Sequence, residues 1–244
     1  MTEMESSIYQ EIGVEPIINC RGTFTIIGGS IELPEVLVAM ERAAHNFVQY
    51  DELAEGIGRR LAELTGAEWG MISSGCAAGM KHITAACITG GDPEKLIRIP
   101  DLRGFEKKEV IVPAYSRNAY DHALRNVGIE FVTVESPEEM SVAISDRTAM
   151  IYLVTGGASE PGATLSLEVM AEIANPLGIP ILADAAAENL TVPNVHLQQG
   201  ADVVTYSGGK ALCGPQCTGL VIGRKDLILA AWQASAPHHG PGRD

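Results

Sequence analysis

Three short runs of this chain combine reactive residue types with the backbone settings in which they react. Ser207-Gly208-Gly209-Lys210 follows a β-rich run and puts a lysine in a glycine-rich turn. In a dry pocket such an amine loses basicity and becomes a nucleophile; on an open loop it is a solvated surface lysine. Ile181-Leu182-Ala183-Asp184-Ala185-Ala186 closes an apolar run on a carboxylate, which is costly to bury without a partner. A pyridinium nitrogen is one such partner, and a helix N-cap or a metal site are the other readings. Ser73-Ser74-Gly75-Cys76-Ala77-Ala78-Gly79 joins a strand-like run to a helix-like one. Its small residues let backbone N–H groups approach an anion, which a helix N-terminus favours; alone, such a turn is more often a packing feature. An anion cup, a cation-seeking carboxylate and a turn lysine in that order are the minimal set for pyridoxal 5′-phosphate (PLP). The chemistry would be α-proton removal from a bound amine, with Lys210 as base and Asp184 keeping the cofactor ring protonated as electron sink.

The elements that must position these groups alternate from residue 69 onward. Strands are expected at Trp69–Ser73, Glu109–Pro113, Glu130–Val134, Ala149–Thr155, Ile179–Asp184, Asp202–Ser207 and Gly219–Gly223. Several, such as Ala149-Met150-Ile151-Tyr152-Leu153-Val154, are apolar without alternation, as strands buried on both faces are. Helices are expected between them at Cys76–Thr89, Asn118–Val127, Pro137–Ser145 and Ser166–Leu177, the last capped by Ser166 and stopped by Gly178. This alternation gives an α/β fold with a mostly parallel seven-stranded sheet and helices on both faces. The reactive runs then sit at carboxyl ends of strands, where open parallel sheets bind ligands. Ahead of this block, Pro34–Gln49 and Glu52–Leu64 read as amphipathic helices, with Asp51 and Glu52 as caps. Residues 1–33 read as an extended arm with a turn at Gly28-Gly29, and Ser235–Asp244 as irregular.

The run Ser207–Gln216, followed by Thr218-Gly219, resembles the lysine loop of the selenocysteine synthase-like PLP enzymes. That group includes bacterial L-seryl-tRNA(Sec) selenium transferases and D-glucosaminate-6-phosphate ammonia-lyase-like proteins. The likeness extends to Ile18-Asn19-Cys20-Arg21-Gly22-Thr23, Ser73–Gly79, Glu160-Pro161-Gly162 and Pro237-His238-His239-Gly240-Pro241-Gly242-Arg243. It implies the large domain of an aspartate-aminotransferase-type PLP-dependent transferase, with active sites at a dimer interface. It further implies that Lys210 is the Schiff-base lysine and Asp184 the partner of the pyridine nitrogen. Ser74, Gly75 and Cys76 would cradle the phosphate with help from Ser207. The residue over the ring face would come from 116–122, with Arg117, Asn118 and Tyr120 as candidates. His238 and His239 would contact phosphate or substrate, and Arg21 and Thr23 would approach the site.

Two departures bear on the substrate. Selenium transferases resemble Ser-Gly-Asp-Lys at the lysine, where this chain has Gly209, and they carry an N-terminal tRNA-binding domain for which residues 1–33 leave no room. The expected function is therefore β-elimination or replacement on a small amino acid or amino-sugar acid, of the ammonia-lyase or selenium-transferase-like kind. Seryl-tRNA selenium transfer and aminotransfer stand as alternatives. Family members also continue past the His-His-Gly-Pro-Gly-Arg motif into a small domain, whereas this chain stops at Asp244. The expected organisation is an arm at 1–33 and a PLP-binding large domain at 34–244, without the small C-terminal domain. A non-catalytic remnant or one subunit of a split enzyme is the corresponding alternative.

Composition narrows the partners. A formal net charge of −14, with Lys107-Lys108 as the longest basic cluster, argues against nucleic acid, whose backbone demands a basic face. No apolar run approaches the roughly 18 residues that span a bilayer, and Met1–Gln10 lacks a secretion-signal pattern. Five cysteines without a Cys-x-x-Cys pair read as reduced thiols in the cytosol. Cys213 and Cys217 alone are too few to hold a metal. The expected assembly is a homodimer or higher homo-oligomer.

Overall fold

The structure, a computed structural model, describes residues 8–235, 237 and 238. The arm holds one helical turn, α1 (Ile8–Glu11), and a 3-10 turn at Thr25–Ile27. Gly28 and Gly29 turn it through positive φ angles of 94° and 71°. Two helices follow, α2 (Pro34–Ala44) and α3 (Tyr50–Thr65). The alternating block then runs β1 (Trp69–Ser73), α4 (Cys76–Thr89), α5 (Pro93–Leu96), β2 (Glu109–Pro113), α6 (Asp121–Arg125), β3 (Glu130–Val134) and α7 (Pro137–Ala143). It ends with β4 (Thr148–Val154), α8 (Leu167–Ala174), β5 (Ile181–Asp184), α9 (Val195–Gln198), β6 (Val203–Ser207), β7 (Gly219–Gly223) and α10 (Lys225–Gln233).

The seven strands form one sheet in the order β1-β7-β6-β5-β4-β2-β3. Pairing is parallel except at β7, which runs antiparallel to β1 and β6. The reversal follows from the connection: β6 reaches β7 through the short lysine loop, with no crossover helix to carry a parallel return. The central strands β4 to β7 are buried on both faces. Along β4, Met150 and Tyr152 pack with Ile83 of α4 and Ile228 of α10, while Ile151 and Leu153 pack with Met140 of α7 and Met170 of α8. Period-two alternation on a strand covered from both sides requires apolar residues at every position, which is why β4 reads as an unbroken apolar run.

Helix ends depart from expectation where side chains compete with the backbone. The helix expected over 118–127 contracts to α6 because the Asn118 side chain accepts the Tyr120 N–H at 2.6 Å, a turn that replaces the first helical bonds. The helices expected to end at Gln49 and Ser145 stop at Ala44 and Ala143. Asp51 and Glu52 are not caps: both lie inside the first turn of α3. The Asp51 carboxylate instead accepts from Trp232 Nε1 at 2.9 Å and meets His238 Nε2 at 3.1 Å. Helix α10 was not anticipated. Ser166 does cap α8, accepting the Val169 N–H at 3.3 Å, and Gly178 follows in the left-handed conformation. The first seven residues and His239–Arg243 of the terminal motif lie outside the described residues.

Candidate active site

The carboxyl ends of β1, β5 and β6 open on one side of the sheet, and the runs singled out in the sequence meet there. Gly75, Cys76, Asp184, Ser207, Lys210 and Tyr120 line a cavity of about 150 Å³. Thr25, Ala77, Met80, Ala186 and Gln216 complete it; Thr25 and Met80 lie outside the runs marked in the sequence. Each contributor is set by a local rule. Gly75, at φ +91°, is the N-cap of α4 and offers no capping side chain, so the first N–H groups of that helix have no partner from it. A Cβ built on Gly75 would meet nothing within 4 Å, whereas one on Gly219 of β7 would lie 2.5 Å from the Gly75 carbonyl carbon. The strand behind the turn must therefore be bare for the turn to seat against the sheet, while space stays open in front.

Asp184 ends β5 and is 6% exposed. Its Oδ1 accepts the Ala186 N–H at 3.0 Å and the Cys76 thiol at 3.5 Å, and its Oδ2 accepts the Tyr152 hydroxyl at 3.2 Å. Burial pushes its pKa up, while these three donors and the Lys210 charge pull it back. Burial, then the neighbouring Asp184 charge, also pushes the Cys76 thiol and the Tyr152 phenol up, so both stay protonated donors at neutral pH. The Cys76 sulfur lies 3.3 Å from the Thr205 hydroxyl of β6. Tyr152 was not recognised from sequence, since a lone tyrosine in an apolar strand signals core.

Lys210 sits in a loop that binds itself. Gly208 N–H bonds the Thr218 carbonyl at 2.8 Å, Gly214 N–H the Gly208 carbonyl at 2.8 Å, and Cys213 N–H the Lys210 carbonyl at 3.0 Å. The arm is stitched to this loop: Ser30 N–H donates to the Gly209 carbonyl at 2.9 Å and Leu33 N–H to the Cys213 carbonyl at 3.0 Å. Gly209 is required for that closeness, because a Cβ there would stand 2.4 Å from Gln216 Cα.

Other sequence candidates take different positions. Ser74 is exposed and outside the cavity lining. Arg117 bonds Asp121 at 2.6 Å and Thr133 at 2.8 Å and lies over the Phe131 ring. The Asn118 amide is spent on the Ser116 carbonyl and the Tyr120 N–H. Of the three ring-face candidates, Tyr120 is the one that lines the cavity. Arg21 stacks over Phe24 at 4.4 Å. His238 packs edge-on against Trp232 beside Asp51, next to a larger hollow of about 340 Å³ between α3, β1 and α10. That hollow is mainly apolar, and its charged groups are engaged by protein partners: Asp51 by Trp232 and His238, Glu55 by Arg59, and Lys225 over the Trp69 ring.

The residues present fit PLP. A buried carboxylate has no salt-bridge partner among the described residues, an uncapped helix N-terminus faces open space, and an amine shares the cavity with both. Gly75, Cys76 and Ser207 could hold the phosphate, Asp184 the ring nitrogen and Lys210 the aldehyde carbon.

Comparison with known proteins agrees. Residues 117–237 match the aminotransferase class-V family. The chain is 34% identical to the D-glucosaminate-6-phosphate ammonia lyase of Salmonella typhimurium, over 98% of this chain and 66% of that protein. A solved structure of D-glucosaminate-6-phosphate ammonia-lyase superposes with a TM-score of 0.89 at 34% identity, covering 98% of this chain and 66% of that one. An L-seryl-tRNA(Sec) selenium transferase of Moorella thermoacetica is 29% identical over 91% of this chain and 52% of its own. Aspartate aminotransferase of Thermus thermophilus shares the fold, with a TM-score of 0.56 at 19% identity over 86% of this chain and 59% of that one. The chain thus spans about half to two thirds of the length of these relatives. With its sheet order, its lysine loop and these matches, the chain belongs to the class-V aminotransferase family of PLP-dependent proteins, among the selenocysteine synthase-like members.

Proposed function

We propose that this chain holds PLP through Lys210 and Asp184 and acts on a small amino acid or amino-sugar acid by α-proton removal, followed by elimination or replacement at the β-carbon. The observation that carries the reading is Asp184: a buried carboxylate, held by three donors and without a salt-bridge partner among the described residues, in the same cavity as Lys210. Bound there, PLP supplies an electron sink for a carbanion at the α-carbon. The protein's own groups do the rest. Lys210 Nζ would hold the cofactor's aldehyde carbon and is the group placed to accept a proton from the substrate's α-carbon. Asp184 Oδ2 would hold a proton on the ring nitrogen. Gly75 and Cys76 N–H groups and the Ser207 hydroxyl would receive the phosphate, and Tyr120, which lines the same cavity, would lie against the ring.

The substrate class is supported by the ammonia lyase relative, whose name gives an amino-sugar acid phosphate, and by the net charge of −14, which disfavours a tRNA. Residues 34–244 would form the cofactor-binding domain and 1–33 an arm. A homodimer is supported by the apolar residues that the arm and α2 leave exposed, among them Ile18, Ile26, Ile31, Leu37 and Val38. All five cysteines are free, in keeping with the reducing cytoplasm, and no helix among the described residues is long and apolar enough to cross a membrane.

The test is spectroscopic. Purified protein given PLP should gain a visible band that borohydride bleaches, and Lys210→Ala should lack it. Amino acids that shift the band then identify the substrate. A folded wild-type protein without the band overturns the proposal.

A further inference from the structure

The acceptor positions of Asp184 can be counted. A carboxylate offers about four, two on each oxygen. Oδ1 takes the Ala186 N–H and the Cys76 thiol, and Oδ2 takes the Tyr152 hydroxyl at 3.2 Å. The one position left is on Oδ2, the oxygen that Tyr152 already holds. Tyr152 is wholly buried inside β4. It pairs with Leu182, while Asp184 pairs with Val154, so phenol and carboxylate are diagonal neighbours on one face of the sheet. A phenylalanine would fill the same space against Met150 and Leu182; among the described residues the hydroxyl makes this one hydrogen bond.

Resting on the reading of Asp184 as partner of the cofactor ring nitrogen, we propose that Tyr152 is a positioning residue that aims Oδ2 at the cavity and keeps Asp184 ionised. A donor on Oδ2 stabilises the carboxylate form. With that donor, a proton shared between Asp184 and a ring nitrogen stays on the nitrogen; without it, the proton moves to Oδ2 and the electron sink weakens. The titratable and charged groups facing this pair are Cys76 from α4, Lys210 from the loop after β6, and Asp121 from α6 on the Tyr152 side. None of them donates to Oδ2.

The test compares wild type with Tyr152→Phe, which keeps the packing. In cofactor-free protein, the Asp184 carboxyl followed by carbon-13 NMR should titrate about one pH unit higher in the variant. With PLP bound, the pH at which its absorbance changes should move as well. A purely structural role would lower the melting temperature and leave both titrations in place. If Tyr152→Phe does not fold, 3-fluorotyrosine at 152, a stronger donor, should shift the Asp184 titration downward. Unmoved titrations in a folded variant overturn the inference. Should Asp184→Asn alter the bound cofactor's absorbance while Tyr152→Phe does not, the inference fails and the reading of Asp184 stands. Should neither variant alter it, the reading of Asp184 fails as well.

Discussion

Replacing Asp184 by Asn separates what the carboxylate costs the fold from what it gives the site. Burial raises the Asp184 pKa above its ordinary value of 3.8, so the folded protein resists ionising it. An acid raised in the folded state contributes no penalty below about pH 4, and stability is lost as pH climbs from there through the folded pKa. One such group changes stability by up to about 1.4 kcal/mol per pH unit across that window. For a chain of this size that is roughly 3–6 °C in melting temperature per unit. Asn keeps the hydrogen bonds: its carbonyl can accept from Ala186 and Cys76, and its amide can donate to a turned Tyr152 hydroxyl. The cofactor-free Asp184→Asn protein should therefore melt above wild type, with a gap that is absent near pH 4 and widens on going up. Adding PLP should narrow or reverse the gap, because wild type then gains a cation and the variant does not. Differential scanning calorimetry from pH 4 to 8, with and without PLP, measures all four curves. Parallel curves for the two cofactor-free proteins would refute the idea that this carboxylate is held against its burial.

Gly209→Ala places a methyl 2.4 Å from Gln216 Cα and should cost about 1–3 kcal/mol in urea unfolding, since backbone must move to admit it. Gly56→Ala, inside α3 with nothing within 4 Å of its new Cβ, should do the opposite and add about 0.5–1 kcal/mol. Asn194→Ala removes both a 2.7 Å bond to the Tyr206 hydroxyl and the cap on Leu197 N–H, from a residue 2% exposed. A loss of about 1–3 kcal/mol by thermal melting is expected, with Asn194→Ser retaining part of the cap.

The sheet was legible because its strands announce themselves. Trp69–Ser73, Glu109–Pro113, Glu130–Val134 and Gly219–Gly223 begin and end where their apolar runs meet Gly, Ser or charged residues. Helix α10 escaped notice because it starts straight after β7 with Arg224, which supplies no side-chain cap; the spacing of Leu227, Ile228 and Ala231 was its signal. Within the site, Lys210, Asp184 and the Gly75 turn stood out as residues ill suited to their surroundings, an amine and a carboxylate among small and apolar neighbours. Tyr152, Thr25 and Gln216 did not. Tyr152 is diagnosed by register across β4 and β5, and Thr25 and Gln216 by the folding of the arm onto the lysine loop, relations that one-dimensional spacing does not carry.

Strand β7 is the last to be made, yet it lies between β1 and β6, and β1 has no other strand to pair with among the described residues. A nascent chain can assemble β2 to β6 as it emerges, but Trp69–Ser73 must wait for Gly219–Gly223, with Ser73 and its contact Gly219 separated by 146 positions. Closing so long a span is slow, and an apolar strand left unpaired in the meantime is a site for association with other chains. The same closure seats the Gly75 turn on Gly219, so a chain in which Gly219–Gly223 has not yet paired with β1 has no seat for that turn. Capture of cofactor during biosynthesis therefore waits for β7, and reports that this strand has threaded home.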